Sequence, residues 1–259
     1  MKKRASLFVT IMLLTLLCND VFAVRNKKFR RSELGVKTGV SLGFPFGRVI
    51  PKGATGLPMP APSLGVSYSY NFSPRWSAKI GVDYYWMKAR FETPYNNIIY
   101  KGDVLIENPD GTTTEVKDAE VNIDYALVKD GLFDNRYVAI PITASYHMKK
   151  GWSVQFGTYV AYKLQSNMTG KATDVILGGG NKLADDYVDF DESDQFNQFD
   201  FGFNFGGNYE LKSGINFDLK LVAGVTDIFK KEFTAPPGTY TNMVIQAGIG
   251  YRIGGSRRL

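Results

Sequence analysis

The chain of 259 residues has one cysteine and one histidine. It also lacks any uninterrupted apolar run of the roughly 18 residues that a membrane-spanning helix needs. With Cys18 alone, no intramolecular disulfide and no cysteine-based metal cage can form. With His147 alone, the two-histidine metal motifs are excluded, and no Cys/His metal spacing or Walker-type phosphate loop occurs. What the chain does have is glycine (27 residues) and aromatic side chains (14%), with a formal charge of +6.

The first residues form a unit of their own. Lys2, Lys3 and Arg4 are a basic leader, Leu7 to Leu17 an apolar core, and Val21-Phe22-Ala23 a small-residue cleavage site. That order is the layout of a secretory signal peptide, expected over residues 1–23. The competing reading makes Cys18 a lipidated residue, but Leu17 stands where such signals place a small residue. Cleavage after Ala23 removes three cations, one anion and the single cysteine. The exported chain must then be held by its backbone ladder and packing alone.

Residues 199–211 read Phe-Asp-Phe-Gly-Phe-Asn-Phe-Gly-Gly-Asn-Tyr-Glu-Leu. The strict period of two turns one strand face to an apolar medium and the other to a polar one. Seven further stripes share it: Val36–Phe44, Leu64–Phe72, Trp76–Trp86, Val138–Met148, Trp152–Leu164, Ile215–Val225 and Met243–Ile253. Tight turns at Ser73-Pro74-Arg75, Lys149-Lys150-Gly151 and Lys212-Ser213-Gly214 alternate with long connections over about 45–62, 92–135, 165–197 and 230–239. An even strand count with short turns on one side and long loops on the other is the plan of an outer-membrane barrel.

A soluble eight-stranded barrel would share the alternation but reverse the faces. Three features decide for the membrane. Glycine and small polar residues crowd the face opposite the apolar stripes, as the inner wall of a narrow lumen requires. That face also carries Lys37, Lys79, Lys163, Lys220 and Arg252 with Asp83, Asp200, Glu210 and Asp218, a set able to pair internally. Aromatic residues Phe72, Trp76, Tyr146, Trp152, Tyr209 and Tyr251 collect near the short turns, where a membrane interface would want them. The expected fold is all-β: an eight-stranded antiparallel up-and-down transmembrane β-barrel over residues 34–254. A basic periplasmic segment (24–33) would precede it and a periplasmic tail (255–259) follow. Pro141, which cannot donate to a ladder, predicts a bulge or a missed bond in a barrel with no free edge.

Gln246, Gly248, Tyr251 and Ile253 fit a polar-x-Gly-x-x-aromatic-x-hydrophobic pattern that resembles the sorting signal read by the barrel assembly machinery, although here it stands six residues before the chain end. Three stretches carry a wider likeness: Arg136 to Ile142, the stripe ending Gly206-Gly207-Asn208-Tyr209, and Asp218-Leu219-Lys220 through Gly224 to Ile228. On these the chain resembles the PorT-like outer-membrane β-barrel family of the Bacteroidetes, built as OmpA/OmpX-type eight-stranded barrels. The resemblance implies an outer-membrane location and, for a few relatives, service in type IX secretion; no residue here marks that role.

Candidate chemistry is sparse. Parity points His147 inward at the periplasmic end, which suits a structural role better than a catalytic one. Asp185, Asp186, Asp189, Asp191, Glu192 and Asp194 form an acidic stretch in an outer loop without the glycine of an EF-hand; it reads first as a solvated acidic loop, and the alternative is that divalent ions bridge it to lipopolysaccharide phosphates. Asn108-Pro109-Asp110-Gly111 reads as a hairpin turn that would carry two strands above the membrane. Arg25, Lys27, Lys28, Arg30 and Arg31 suit either anionic headgroups of the inner leaflet or a plain disordered linker, since an exported barrel meets no nucleic acid. The expectation is a non-enzymatic outer-membrane protein with no catalytic residue, cofactor or metal assigned. Its expected partners are outer-membrane lipid and lipopolysaccharide, the barrel assembly machinery and envelope or secretion-complex proteins. A component of a secretion system is the alternative, and a barrel enzyme the remotest one.

Overall fold

The computed structural model describes residues 31–107, 113–182, 187–233 and 238–253. The expected leader, most of the basic segment and the tail lie outside them. Eleven strands follow in chain order: β1 (Ser32–Gly47), β2 (Thr55–Asn71), β3 (Trp76–Glu107), β4 (Thr113–His147), β5 (Trp152–Gln165), β6 (Met168–Leu177), β7 (Asn181–Lys182), β8 (Tyr187–Asp191), β9 (Phe199–Glu210), β10 (Ile215–Gly224) and β11 (Tyr240–Ile253). Among the described residues the only helical pieces are two three-residue 3-10 turns, at Lys149–Gly151 and Ser193–Gln195.

Eight of these strands close a ring. The antiparallel order β3-β2-β1-β11-β10-β9-β5-β4 is completed by pairing of β3 with β4. Each ring strand contains one of the eight stripes, so the expected barrel is present. The seam joins β1 to β11 in unbroken register from Leu34↔Ile253 to Gly47↔Tyr240, which leaves no edge inside the membrane. Gly39 faces Gly248 across that seam, and a Cβ on Gly39 would lie 2.2 Å from the Ala247 carbonyl oxygen. Only glycine allows the two strands to approach so closely there. The barrel starts slightly before residue 34: β1 begins at Ser32, and Glu33 is already buried.

The side-chain parity follows the stripes. Phe203 and Phe205 point outward with 60% and 62% of their surface exposed, whereas inward-facing Ser41, Met87 and Val244 have none. An outward apolar wall of this extent would be untenable in water and is solvated by lipid. Trp76 packs on Tyr146 (centroids 5.0 Å apart) and Trp152 on Tyr209 (4.8 Å), at the end where the short turns lie. This is the expected aromatic girdle.

The other end departs from expectation. β3 and β4 stay paired as far as Glu107↔Thr113, so the 92–135 connection is a raised hairpin; residues 108–112, where the turn is expected, lie outside the described residues. The first outer connection shrinks to 48–54 because β1 and β2 continue upward. The 165–197 connection is not simply a loop: β6 pairs with the upper part of β4 from Phe133↔Met168 to Ile123↔Leu177, and β8 and β7 pair with β6. At Pro141 the β3–β4 ladder skips from Ile80↔Ile142 to Asp83↔Ala139 without a register shift, while the β4–β5 ladder runs through Pro141↔Tyr159. The proline sits in a gap rather than a bulge.

Candidate functional site

Every inward side chain of the ring faces one narrow lumen, and its two halves differ. In the periplasmic half the carboxylate of Asp83 on β3 receives Lys37 of β1 (2.8 Å) and Lys220 of β10 (2.6 Å) on the same oxygen. Three strands that are not neighbours are thereby tied across the lumen. Lys79 donates to Gln155 Oε1 on β5 (2.7 Å). Arg252 bridges Glu33 (3.1 Å) and Glu210, joining β11 to β1 and β9. Around these groups lies a cavity of about 110 Å³. Above Asp83 the next free space, bounded by Tyr85, Pro141, Tyr159 and Val222, is about 10 Å³, room for a single water.

The outer half is lined mainly by apolar side chains, and a cavity of about 150 Å³ lies among Phe44, Phe91, Phe133, Phe229 and Tyr240 near its mouth. Tyr85 stacks on Tyr137 at 5.3 Å with Met87, Ala139, Ala161, Val222 and Val244 around them. Higher up, Phe91, Phe133, Phe196 and Phe229 form a chain of ring contacts with centroids 4.5–6.2 Å apart. Asp200 lies near the boundary and is only 2% exposed. It accepts from Tyr159 Oη (2.8 Å), Asn242 Nδ2 (2.9 Å) and Thr226 Oγ1 (2.9 Å). Tyr95, in the raised part of β3, has its phenol pushed above the ordinary value by burial.

The expected inner set of charges is inside, but it pairs less symmetrically than its near-balance suggested. Asp200 is satisfied by neutral donors. Lys163 donates to the Phe196 carbonyl (2.9 Å) and Lys79 to an amide. Glu33, which sequence reasoning placed outside the barrel, is one of the anions that complete the network.

His147 does point inward at the periplasmic end, with Nε2 2.9 Å from Ser77 Oγ. One motif is missed in the sequence reading: Gly39-Val40-Ser41-Leu42-Gly43 has the letters of a serine nucleophile elbow. That motif needs a strained strand-to-helix turn, whereas Ser41 sits within β1. It is fully buried, and its hydroxyl lies 3.1 Å from the Ala61 carbonyl and 2.5 Å from the Trp86 carbonyl. The serine is a packing residue of the wall.

The acidic stretch is spread out where it is described. Asp189 and Asp191 lie on β8 opposite Lys171 and Thr169, Asp191 caps the backbone of Ser193 (3.0 Å), and Glu192 is buried. Asp185 and Asp186 lie outside the described residues. Among the described residues no three carboxylate, histidine or cysteine side chains converge as a metal site would require.

A closed, all-antiparallel ring with an apolar outer wall defines the class: an outer-membrane β-barrel protein. Residues 23–230 match the family described as "Outer membrane protein beta-barrel domain", and the chain belongs to it. Its location is the bacterial outer membrane. The chain is similar to three solved outer-membrane proteins. Ail of Yersinia pestis shares 9% identity, over 86% of this chain and 100% of that one, at a TM-score of 0.39. OprG of Pseudomonas aeruginosa shares 10%, over 88% and 99%, at 0.39. Neisserial surface protein A shares 10%, over 85% and 96%, at 0.37. No curated protein matches the chain.

Proposed function

We propose that the protein is a non-enzymatic anchor and contact protein of the outer membrane, whose raised outer sheet meets its partners while the barrel only holds it in place. The observation that carries this is the division of labour along β3 and β4. Their lower parts wall a lumen shut by Tyr85, Met87, Tyr137, Phe91 and Phe133, while their upper parts leave the ring as a free-standing sheet with β6 and β8. Above Thr55↔Glu92, where β2 stops, β3 has a neighbour on one side only among the described residues. A strand edge of this kind is a template for adding a strand from another chain. The engaged His147 and the wall-packed Ser41 support a role without catalysis.

The likeness to the PorT-like family belongs to the same reading, since a secretion-complex component also works by contact. Affinity capture from native membranes tests it. The full chain should retain envelope proteins that a chain lacking 97–123 does not. Co-capture of secretion-machine components would direct the proposal to that machine. Equal capture by both chains would remove the raised hairpin from it. Stable nanosiemens-scale channels in planar bilayers would contradict the closed lumen.

A further inference from the structure

The outer wall carries one cluster that neither the barrel nor the raised sheet explains. Trp86 of β3 and Arg136 of β4 are register partners and face outward, because their neighbours Tyr85 and Tyr137 fill the lumen. The Arg136 guanidinium lies 4.3 Å from the Trp86 ring centroid and the Lys88 ammonium 5.7 Å. The indole N–H donates to Asp134 Oδ1. Asp134 lies 3.9 Å from Lys88 Nζ and 3.8 Å from Arg136 Nε, beyond normal hydrogen-bond length for both. Arg136 Nε is buried without a hydrogen-bond partner. One carboxylate therefore holds two cations apart on an aromatic plate and leaves the cluster with one net positive charge.

Its height on the wall says what it meets. Below it on the outward face come Val82, Ile80, Ile140 and Ile142, all exposed to hydrocarbon; above it come Arg90 and Glu92, both exposed. The cluster stands where hydrocarbon gives way to headgroups, on the side of the long connections and hence in the outer leaflet. A guanidinium over an indole, beside an ammonium, suits a phosphate better than a neutral headgroup.

We propose that Trp86, Lys88 and Arg136 form a binding site for the phosphate of an anionic glycolipid of the outer leaflet, with Asp134 as the residue that positions the two cations. The site lies on the barrel wall and needs no bridging metal ion. It is independent of the acidic stretch near β8 and of the proposed contact role of the raised sheet.

The test uses the full chain refolded into nanodiscs of phosphatidylcholine containing bisphosphorylated lipid A, with lipid retained per barrel read by native mass spectrometry. Wild type should retain lipid A, and Lys88→Gln with Arg136→Gln together should reduce retention about tenfold or more. Lys88→Gln alone, which leaves Arg136 on Trp86, should give a smaller loss, and Lys212→Gln in a short periplasmic turn should give none. Folding of each variant is read from heat-modifiable gel migration. Equal retention by wild type and either Lys88 variant overturns the proposal, as does equal retention of dephosphorylated lipid A. Displacement by millimolar inorganic phosphate would make the site one for free anions and overturn its assignment to lipid.

Discussion

The two halves of the lumen stand on the same eight strands and are filled by opposite chemistry. Toward the periplasm the wall is held by ions that reach across it: Lys37 and Lys220 on Asp83, and Arg252 on Glu33 and Glu210. Toward the outside it is held by rings, from Tyr85 and Tyr137 to Phe229. The lower half keeps space around its charges, and that space lets water repay part of the desolvation that buried ions cost. The upper half also holds a cavity, of about 150 Å³, but it is lined mainly by apolar and aromatic side chains such as Phe44, Phe91, Phe133, Phe229 and Tyr240, which solvate charge poorly. The single carboxylate near the border, Asp200, is matched by three hydrogen-bond donors.

The largest expected effect breaks the lower half. Asp83→Ala leaves two lysines facing each other with no anion between them, which should cost about 3–5 kcal/mol of stability. Urea unfolding of the refolded barrel, followed by gel mobility, measures it. Adding Lys37→Met should recover part of the loss, because one uncompensated cation goes with it. The corresponding break in the upper half is Met87→Ala, which removes a fully buried side chain from the stack around Tyr85 and Tyr137 and should cost roughly 2–4 kcal/mol by the same measurement. At the seam common to both halves, Gly39→Val drives a side chain into the Ala247 carbonyl and should cost about 1–3 kcal/mol, with slower closure during refolding. Smallest of all, Phe205→Leu on the lipid face should change stability by less than about 0.5 kcal/mol, since lipid fits either shape.

Much of this contrast was legible in the residues, and the rest was hidden for a physical reason. The lower half announces itself because polar and apolar residues alternate cleanly along Trp76–Asp83 and Phe199–Glu210. Parity then places Asp83, His147 and Lys220 inside. In the upper half both faces are apolar: Tyr84-Tyr85-Trp86-Met87 offers two aromatic residues to lipid and an aromatic and a methionine to the lumen. The alternation vanishes there, and that loss is the mark of a strand buried on both sides. The acidic stretch masked the outer strands in the same way. β6 and β8 are short and carry two threonines and three aspartates among their fifteen residues, so their pairing comes from the upper edge of β4 rather than from their own pattern. The cluster at Trp86 could not be read at all, since Lys88, Asp134 and Arg136 meet only through the β3–β4 register.

The division of the lumen is tested most directly by thiol accessibility from each side of the membrane. The protein would carry Cys18→Ser and either Asn208→Cys in the lower cavity or Thr55→Cys at the outer rim, in whole cells treated with a membrane-impermeant thiol reagent before and after the outer membrane is permeabilised. A lumen closed above Asp83 predicts that the rim position reacts in intact cells, whereas position 208 reacts only once the periplasm is open to the reagent. Equal labelling of both positions in intact cells would mean that the aromatic half is a passage, and would contradict the account.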